Sequence, residues 1–178
     1  MRSHPDIKKI LLDENTILNR IDKLAEQIND DYTDIENIMI VSILKGAFMF
    51  TSDLLKRITI PHIVDFMALS TYGAESRASG EVRVIMDLRH PVQNQHVLIV
   101  EDIVSTGGSV KELIELVEQY KAKVAGVVCI VDRTKDGVNF GCSTEALLRY
   151  PVVSWEPDEC PLCEQGILIT SQGRTGKK

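Results

Sequence analysis

The sequence predicts an α/β fold: a mostly parallel sheet with helices packed on both faces, followed by a small C-terminal flap. Three observations predict it. Ile38-Met39-Ile40-Val41-Ser42-Ile43-Leu44, Val97-Leu98-Ile99-Val100 and Val124 to Val131 are apolar runs of strand length that barely alternate, as strands covered on both faces require. Stretches with helical spacing of apolar residues separate them, and strands alternating with helices build parallel sheets. One of these strands also leads into a small, hydroxyl- and glycine-rich turn and then a helix, a junction that α/β domains use to hold ligands. With 178 residues, 44% of them hydrophobic and 26% charged, the chain suits one domain with a substantial core over residues 1–155. Residues 156–178 are too poor in apolar side chains for a core of their own and read as a flap and tail packed on that domain.

In chain order, Asp13 is a candidate cap for a helix whose apolar face is Ile17, Leu18, Ile21, Leu24, Ala25 and Ile28, ending near Asp30-Asp31. Ile38 to Leu44 is the first buried strand. Lys45-Gly46 interrupts it, and Ala47 to Ile58 returns to helical spacing with Phe48, Leu54 and Leu55. Ile63 to Leu69 and the shorter Val82 to Met86 read as strands, joined by the polar, small-residue loop Ser70 to Gly80. A strand over His96 to Val100 and a helix from Val110 to Tyr120 follow. Val124 to Val131 is a further strand, and Leu147 to Trp155 is the last one expected.

The net charge of −6 speaks against a nucleic-acid surface. No apolar run reaches membrane-spanning length and Met1 to Asp6 lacks a secretory apolar region, so the expected location is cytoplasmic. Among the cysteines, Cys129 lies in an apolar run and reads as a reduced core residue. Cys160-Pro161-Leu162-Cys163 has zinc-knuckle spacing without a second close pair, so a metal there would need Cys142, a His or a partner subunit; a redox pair or a plain turn is equally open.

The chemistry concentrates in Glu101-Asp102-Ile103-Val104-Ser105-Thr106-Gly107-Gly108-Ser109. Ser105 to Ser109 can cap the next helix and aim free backbone N–H groups at an anion. Two carboxylates just ahead of such a cradle suit a ligand with both a phosphate and sugar hydroxyls. Lys45, at the end of the first strand, falls on the same sheet edge.

This stretch resembles the signature with which type I phosphoribosyltransferases bind 5-phosphoribosyl 1-pyrophosphate (PRPP). The resemblance implies that Glu101 and Asp102 contact the ribose hydroxyls and that Ser105, Thr106, Gly107, Gly108 and Ser109 hold the 5-phosphate. Ile43-Leu44-Lys45-Gly46-Ala47 is similar to the pyrophosphate loop of the hypoxanthine and guanine enzymes, where the peptide before the Lys is often cis; it implies pyrophosphate contacts from Leu44, Lys45 and Gly46. Ser70-Thr71-Tyr72-Gly73 with Ser79-Gly80-Glu81-Val82 resembles their mobile loop, which closes over the reacting ribose and excludes water. It implies Ser70 as a substrate contact and Tyr72 and Arg77 as contacts to pyrophosphate. Read alone, the segment is a flexible hairpin.

The resemblance is not uniform. The purine enzymes carry a Lys, donating to the 6-oxo group, where Arg133 falls at the same spacing from the phosphate turn. Arg can donate too, but its planar fork is larger and differently aimed; a surface ion pair is the plainer role for it. Purine enzymes usually have an Asp, proposed to handle the purine proton, where this chain has Ser105, which is no general base at neutral pH without an activating partner. Orotate enzymes commonly have a small hydroxyl residue there, and the stretch from Trp155 to Gly166 looks more like the tail of some of them. By spacing, Trp155 falls where a base-stacking ring is needed, although a single Trp is more often core, and Asp158 where a metal carboxylate would stand.

The family therefore implies transfer of ribose 5-phosphate from PRPP to a 6-oxopurine with release of pyrophosphate. It implies Mg²⁺ held through Glu101, Asp102 and Asp158, and a homo-oligomer, dimer or tetramer. Orotate as acceptor is the runner-up, disfavoured by the short N-terminal segment and a mobile loop with only Arg77 basic. A non-catalytic PRPP-binding regulator is the rival from another class, motivated by the acid missing at Ser105.

Overall fold

The computed structural model describes residues 10, 13–71, 82–153, 155 and 159–166. Helix α1 (Glu14–Asp31) starts at Asp13, whose carboxylate accepts the Thr16 N–H at 2.8 Å and its hydroxyl at 2.9 Å, and buries Ile21, Leu24, Ala25 and Ile28. Strand β1 (Ile38–Leu44) leads to α2 (Phe48–Leu55), then β2 (His62–Thr71) and β3 (Val82–Met86). Strand β4 (His96–Val104), α3 (Gly108–Gln119), β5 (Lys123–Asp132), β6 (Ser143–Arg149) and the single turn α4 (Pro161–Glu164) complete the order.

The six strands form one sheet in the order β3-β2-β1-β4-β5-β6, parallel throughout except for β3, which runs antiparallel to β2. Alternate residues of the central strands face opposite layers. Ile38, Ile40, Leu98, Val100 and Val128 pack with α1 and α2, whereas Met39, Val41, Val97, Ile99, Val127 and Cys129 pack with α3 through Val110, Leu113, Ile114 and Val117. Covering both faces explains why these strands lack a polar stripe, and each such side chain contributes about 1.5–3 kcal/mol relative to exposure. The one hydroxyl inside β1, Ser42, is satisfied: its Oγ lies 2.7 Å from Thr51 Oγ1, which itself donates to Ala47 O at 2.9 Å. Among the described residues no helix is long and apolar enough to cross a membrane.

The structure moves several expected boundaries. The last strand among the described residues is Ser143–Arg149, not Leu147 to Trp155, because Gly126 to Asp132 of β5 pair with 143–149 and the pairing ends at Arg149. Strand β4 runs through both acids to Val104, since pairing with β5 carries on to Val104 and Asp132. Helix α2 is shorter than the predicted 47–58, and α3 begins at Gly108 rather than Val110.

Asp65 of β2 fastens the return from β3 to β4. It is 5% exposed, and its carboxylate accepts the N–H groups of Phe66, Arg89 and His90 and faces the His90 ring Nδ1 at 3.0 Å. Burial alone would raise its pKa, but these donors together hold it below the ordinary carboxylate value. A depressed pKa stabilises the fold above the unfolded value of 3.8, and that contribution is lost as the pH falls through the folded value. Asp65→Asn is thus expected to lower stability at pH 7 by about 1–3 kcal/mol, the range for charge-assisted hydrogen bonds. The deficit should shrink in thermal melts as the pH falls from 3.8 through the lower folded value, where the wild-type group becomes protonated as well. A deficit independent of pH would contradict this account.

Candidate active site

The site forms where β1, β2 and β4 end. Strand β1 stops at Leu44, and the Leu44–Lys45 peptide is cis, as the pyrophosphate-loop resemblance implies. Ser42 is in register with Val100, so the chain beyond Leu44 emerges beside Asp102. The approach is very close: a β-carbon placed on Gly46 would lie 1.6 Å from Asp102 Oδ2. Only glycine lets the Lys45 turn and the Asp102 carboxylate occupy this space together.

Beyond β4 the chain turns through Ser105 and Thr106 to Gly107, whose φ of +80° is the left-handed conformation that glycine adopts without steric cost. Gly107 is the N-cap of α3 and no side chain caps the helix, so the expected capping by hydroxyls is corrected. The nearest approach is a long 3.4 Å contact from Gly108 N–H to Thr106 Oγ1. The uncapped first turn of a twelve-residue helix leaves backbone N–H groups directed at the site, where they and the helix dipole favour an anion.

Leu44, Lys45, Gly46, Glu101, Asp102 and Ser105 to Ser109 line one cleft of about 840 Å³. The two acids differ. Glu101 is 9% exposed and its Oε1 accepts the Asp102 N–H at 2.8 Å; burial, reinforced by the neighbouring Asp102 carboxylate, pushes its pKa up to about 8. Asp102 is half-buried and accepts the Ile103 N–H at 2.7 Å through Oδ1. A cation arriving beside the buried Glu101 carboxyl would favour its charged form.

Arg133 and Trp155 do not line this cleft. Arg133 is half-buried next to it, its N–H donating to Val104 O at 2.8 Å. Asp132 is taken up by Thr134, through N–H at 2.9 Å and Oγ1 at 2.6 Å, rather than by Arg133. Trp155 is 48% exposed, which removes the core reading for it. The segment leading to it runs alongside Arg133, with Tyr150 N–H on Asp132 O at 2.7 Å and Val152 N–H on Arg133 O at 3.1 Å. Ser70 pairs with Arg83 across β2 and β3. Tyr72, Arg77 and Asp158 lie outside the described residues.

Sequence reasoning missed Ile103, which lines the cleft 45% exposed while Val104 beside it is 3% exposed. Had β4 been extended through the acids, the two-residue period of a strand would have turned Ile103 outward. Ala68 of β2, in register with Leu44, is a further lining residue without a sequence signal. Cys129 is buried as expected, and burial pushes its thiol up to about 12. Cys160 is buried, and Cys163 sits in α4.

Residues 8–139 match the family model described as "Phosphoribosyl transferase domain". Hypoxanthine-guanine phosphoribosyltransferase of Dictyostelium discoideum is 43% identical over 112 residues, 61% of this chain and 62% of its own length, so the match spans less than two thirds of that protein. The enzyme of the same name from Staphylococcus aureus strain Mu50 is 39% identical over 130 residues, 73% of this chain and 72% of its own. A solved structure of hypoxanthine phosphoribosyl transferase from Trypanosoma cruzi superposes with a TM-score of 0.76 at 32% identity, covering 85% of this chain and 83% of the other.

Proposed function

The chain belongs to the phosphoribosyl transferase family, and we propose that it moves ribose 5-phosphate from PRPP onto a ring nitrogen of a 6-oxopurine, hypoxanthine or guanine, releasing pyrophosphate in purine salvage. The observation that carries this reading is the meeting of Gly46 with Asp102, which joins the Lys45 turn, the acid pair and the uncapped N-terminus of α3 in one cleft. The named relatives, hypoxanthine-guanine enzymes from two organisms, support a purine acceptor.

In the reaction the bond from C1′ to the pyrophosphate oxygen breaks, a bond from C1′ to the purine nitrogen forms, and that nitrogen gives up its proton. The N–H groups of the 105–109 turn hold the 5-phosphate and Asp102 orients the ribose hydroxyls. Lys45, exposed at the cleft, meets the charge developing on the departing pyrophosphate, joined by Arg77. In this reading the exposed Ile103 side chain offers the base an apolar wall, and Arg133 and Trp155 address the base.

Glu101 and Asp102 fit Mg²⁺: both are oxygen donors, and among the described residues no third ligand completes a group with them. Mg²⁺ keeps waters and substrate oxygens rather than an all-protein cage, and when bound it would offset the negative charge of pyrophosphate. Asp158 is the further carboxylate in this reading. The reading also includes a homo-oligomer, dimer or tetramer, in the cytoplasm; Phe48 and Met49, 52% and 67% exposed at the start of α2, supply apolar surface for a subunit contact. Residues 1–155 act as the catalytic core and 156–178 as the flap, with buried Cys160 anchoring it.

Pyrophosphate release from PRPP and Mg²⁺ with hypoxanthine, guanine, xanthine and orotate tests the assignment. Turnover with hypoxanthine or guanine is expected. Turnover of orotate alone would replace the acceptor, and tight PRPP binding without turnover of any base would make the protein a PRPP-binding regulator.

A further inference from the structure

The connection between β5 and β6 enters the reading above only through Arg133, yet its middle packs beneath the phosphate turn. A β-carbon placed on Gly107 would meet Val138 Cγ1 at 3.0 Å and Phe140 Cε1 and Cζ at 3.1 Å, so both side chains press against the bare α-carbon of the residue that caps α3. Both are half-buried and pack on the apolar layer that contains Val104 and Val110, the buried residues flanking the turn. The start of the same connection is tied to β4 by the 2.8 Å bond from Arg133 N–H to Val104 O.

The turn has few bonds of its own. Gly107 is left-handed, α3 has no side-chain cap, and the Thr106 contact to Gly108 N–H is 3.4 Å long. Backbone N–H groups bind an anion tightly only when they are already aimed at it, because ordering a loose turn costs binding free energy. A glycine at this position supplies the conformation but no rigidity. The aromatic ring and the branched side chain behind it supply that rigidity.

We infer that Phe140, assisted by Val138, is a positioning residue that wedges Gly107 in its left-handed conformation and so keeps the turn's N–H groups converged on the 5-phosphate. This rests on the phosphate reading of the 105–109 turn. Substrate recognition through the phosphate is then set partly by two side chains, Val138 and Phe140, that never touch the phosphate.

The test uses Phe140→Ala, Phe140→Leu and Val138→Ala in the full chain, with inosine 5′-monophosphate and inosine as probes that differ only by the phosphate. Phe140→Ala is expected to raise KM for PRPP and Kd for the nucleotide about tenfold, as for a modest misplacement of binding groups, with kcat within about twofold and inosine affinity unchanged. Phe140→Leu keeps apolar bulk and should recover most of the loss, and Val138→Ala should show the same selective loss at smaller size. A general loosening of the fold would weaken nucleotide and nucleoside alike. Equal losses for the two probes, or unchanged nucleotide affinity in Val138→Ala and any folded Phe140 variant, overturns the inference. A wild-type protein that fails to bind the nucleotide overturns the phosphate reading instead.

Discussion

Gly46→Ala is expected to lower kcat/KM for PRPP on the order of 10³-fold while leaving the fold intact, because it misplaces two groups that act on one substrate. The new methyl carbon would sit 1.6 Å from Asp102 Oδ2 and 2.3 Å from its Cγ. Either the carboxylate swings out of the cleft or the Lys45 turn lifts from it. In the proposed reaction, either movement would separate the group that orients the ribose from the group that meets the pyrophosphate. Lys45 and Gly46 are exposed and neither belongs to the core, so melting temperature and far-UV circular dichroism should change little. Steady-state kinetics beside a thermal melt check this. Near-normal kcat/KM in a folded variant would show that Lys45 and Asp102 do not work as a unit.

Ser105→Asp is expected to act in the opposite direction. A 6-oxopurine must lose a ring proton as the glycosidic bond forms, and Ser105 is exposed at the cleft with no group among the described residues bonded to it that would make it basic. Supplying a carboxylate there should raise kcat with hypoxanthine on the order of 10- to 100-fold, toward the range for a positioned general base. The variant should also gain an acidic limb in its pH profile. A general base works only when deprotonated, so the added rate is lost as the pH falls through the pKa of the new Asp. No gain with hypoxanthine would mean that the proton leaves by another route, or that the acceptor needs no base.

The parallel-sheet architecture and the cleft's position were legible because both follow from local patterns. Ile38 to Leu44 is a strand in sequence and in structure alike, and the acid pair with its glycine turn lies at a sheet edge, as the strand–turn–helix pattern implies. What was not legible depends on contacts between distant segments. That Gly46 abuts Asp102 requires the register of β1 on β4, and that Phe140 lies behind Gly107 requires the path of a 10-residue connection between β5 and β6. The last strand was misplaced because Leu147 to Trp155 is the more apolar stretch, whereas Ser143 to Arg149 lies on the sheet's edge, alternates exposed with partly covered residues and gives a weaker signal. Arg133 was placed rightly at a strand end beside the phosphate strand, but its distance from the cleft lining could not be read from spacing.

Titrating PRPP with Mg²⁺ into the full chain in a calorimeter tests the central claim most directly. The account predicts saturable heat with one PRPP per chain, abolished in Gly46→Ala and competed by ribose 5-phosphate. Absence of heat from the folded wild-type protein, or unaltered uptake once the Gly46–Asp102 approach is blocked, would contradict it.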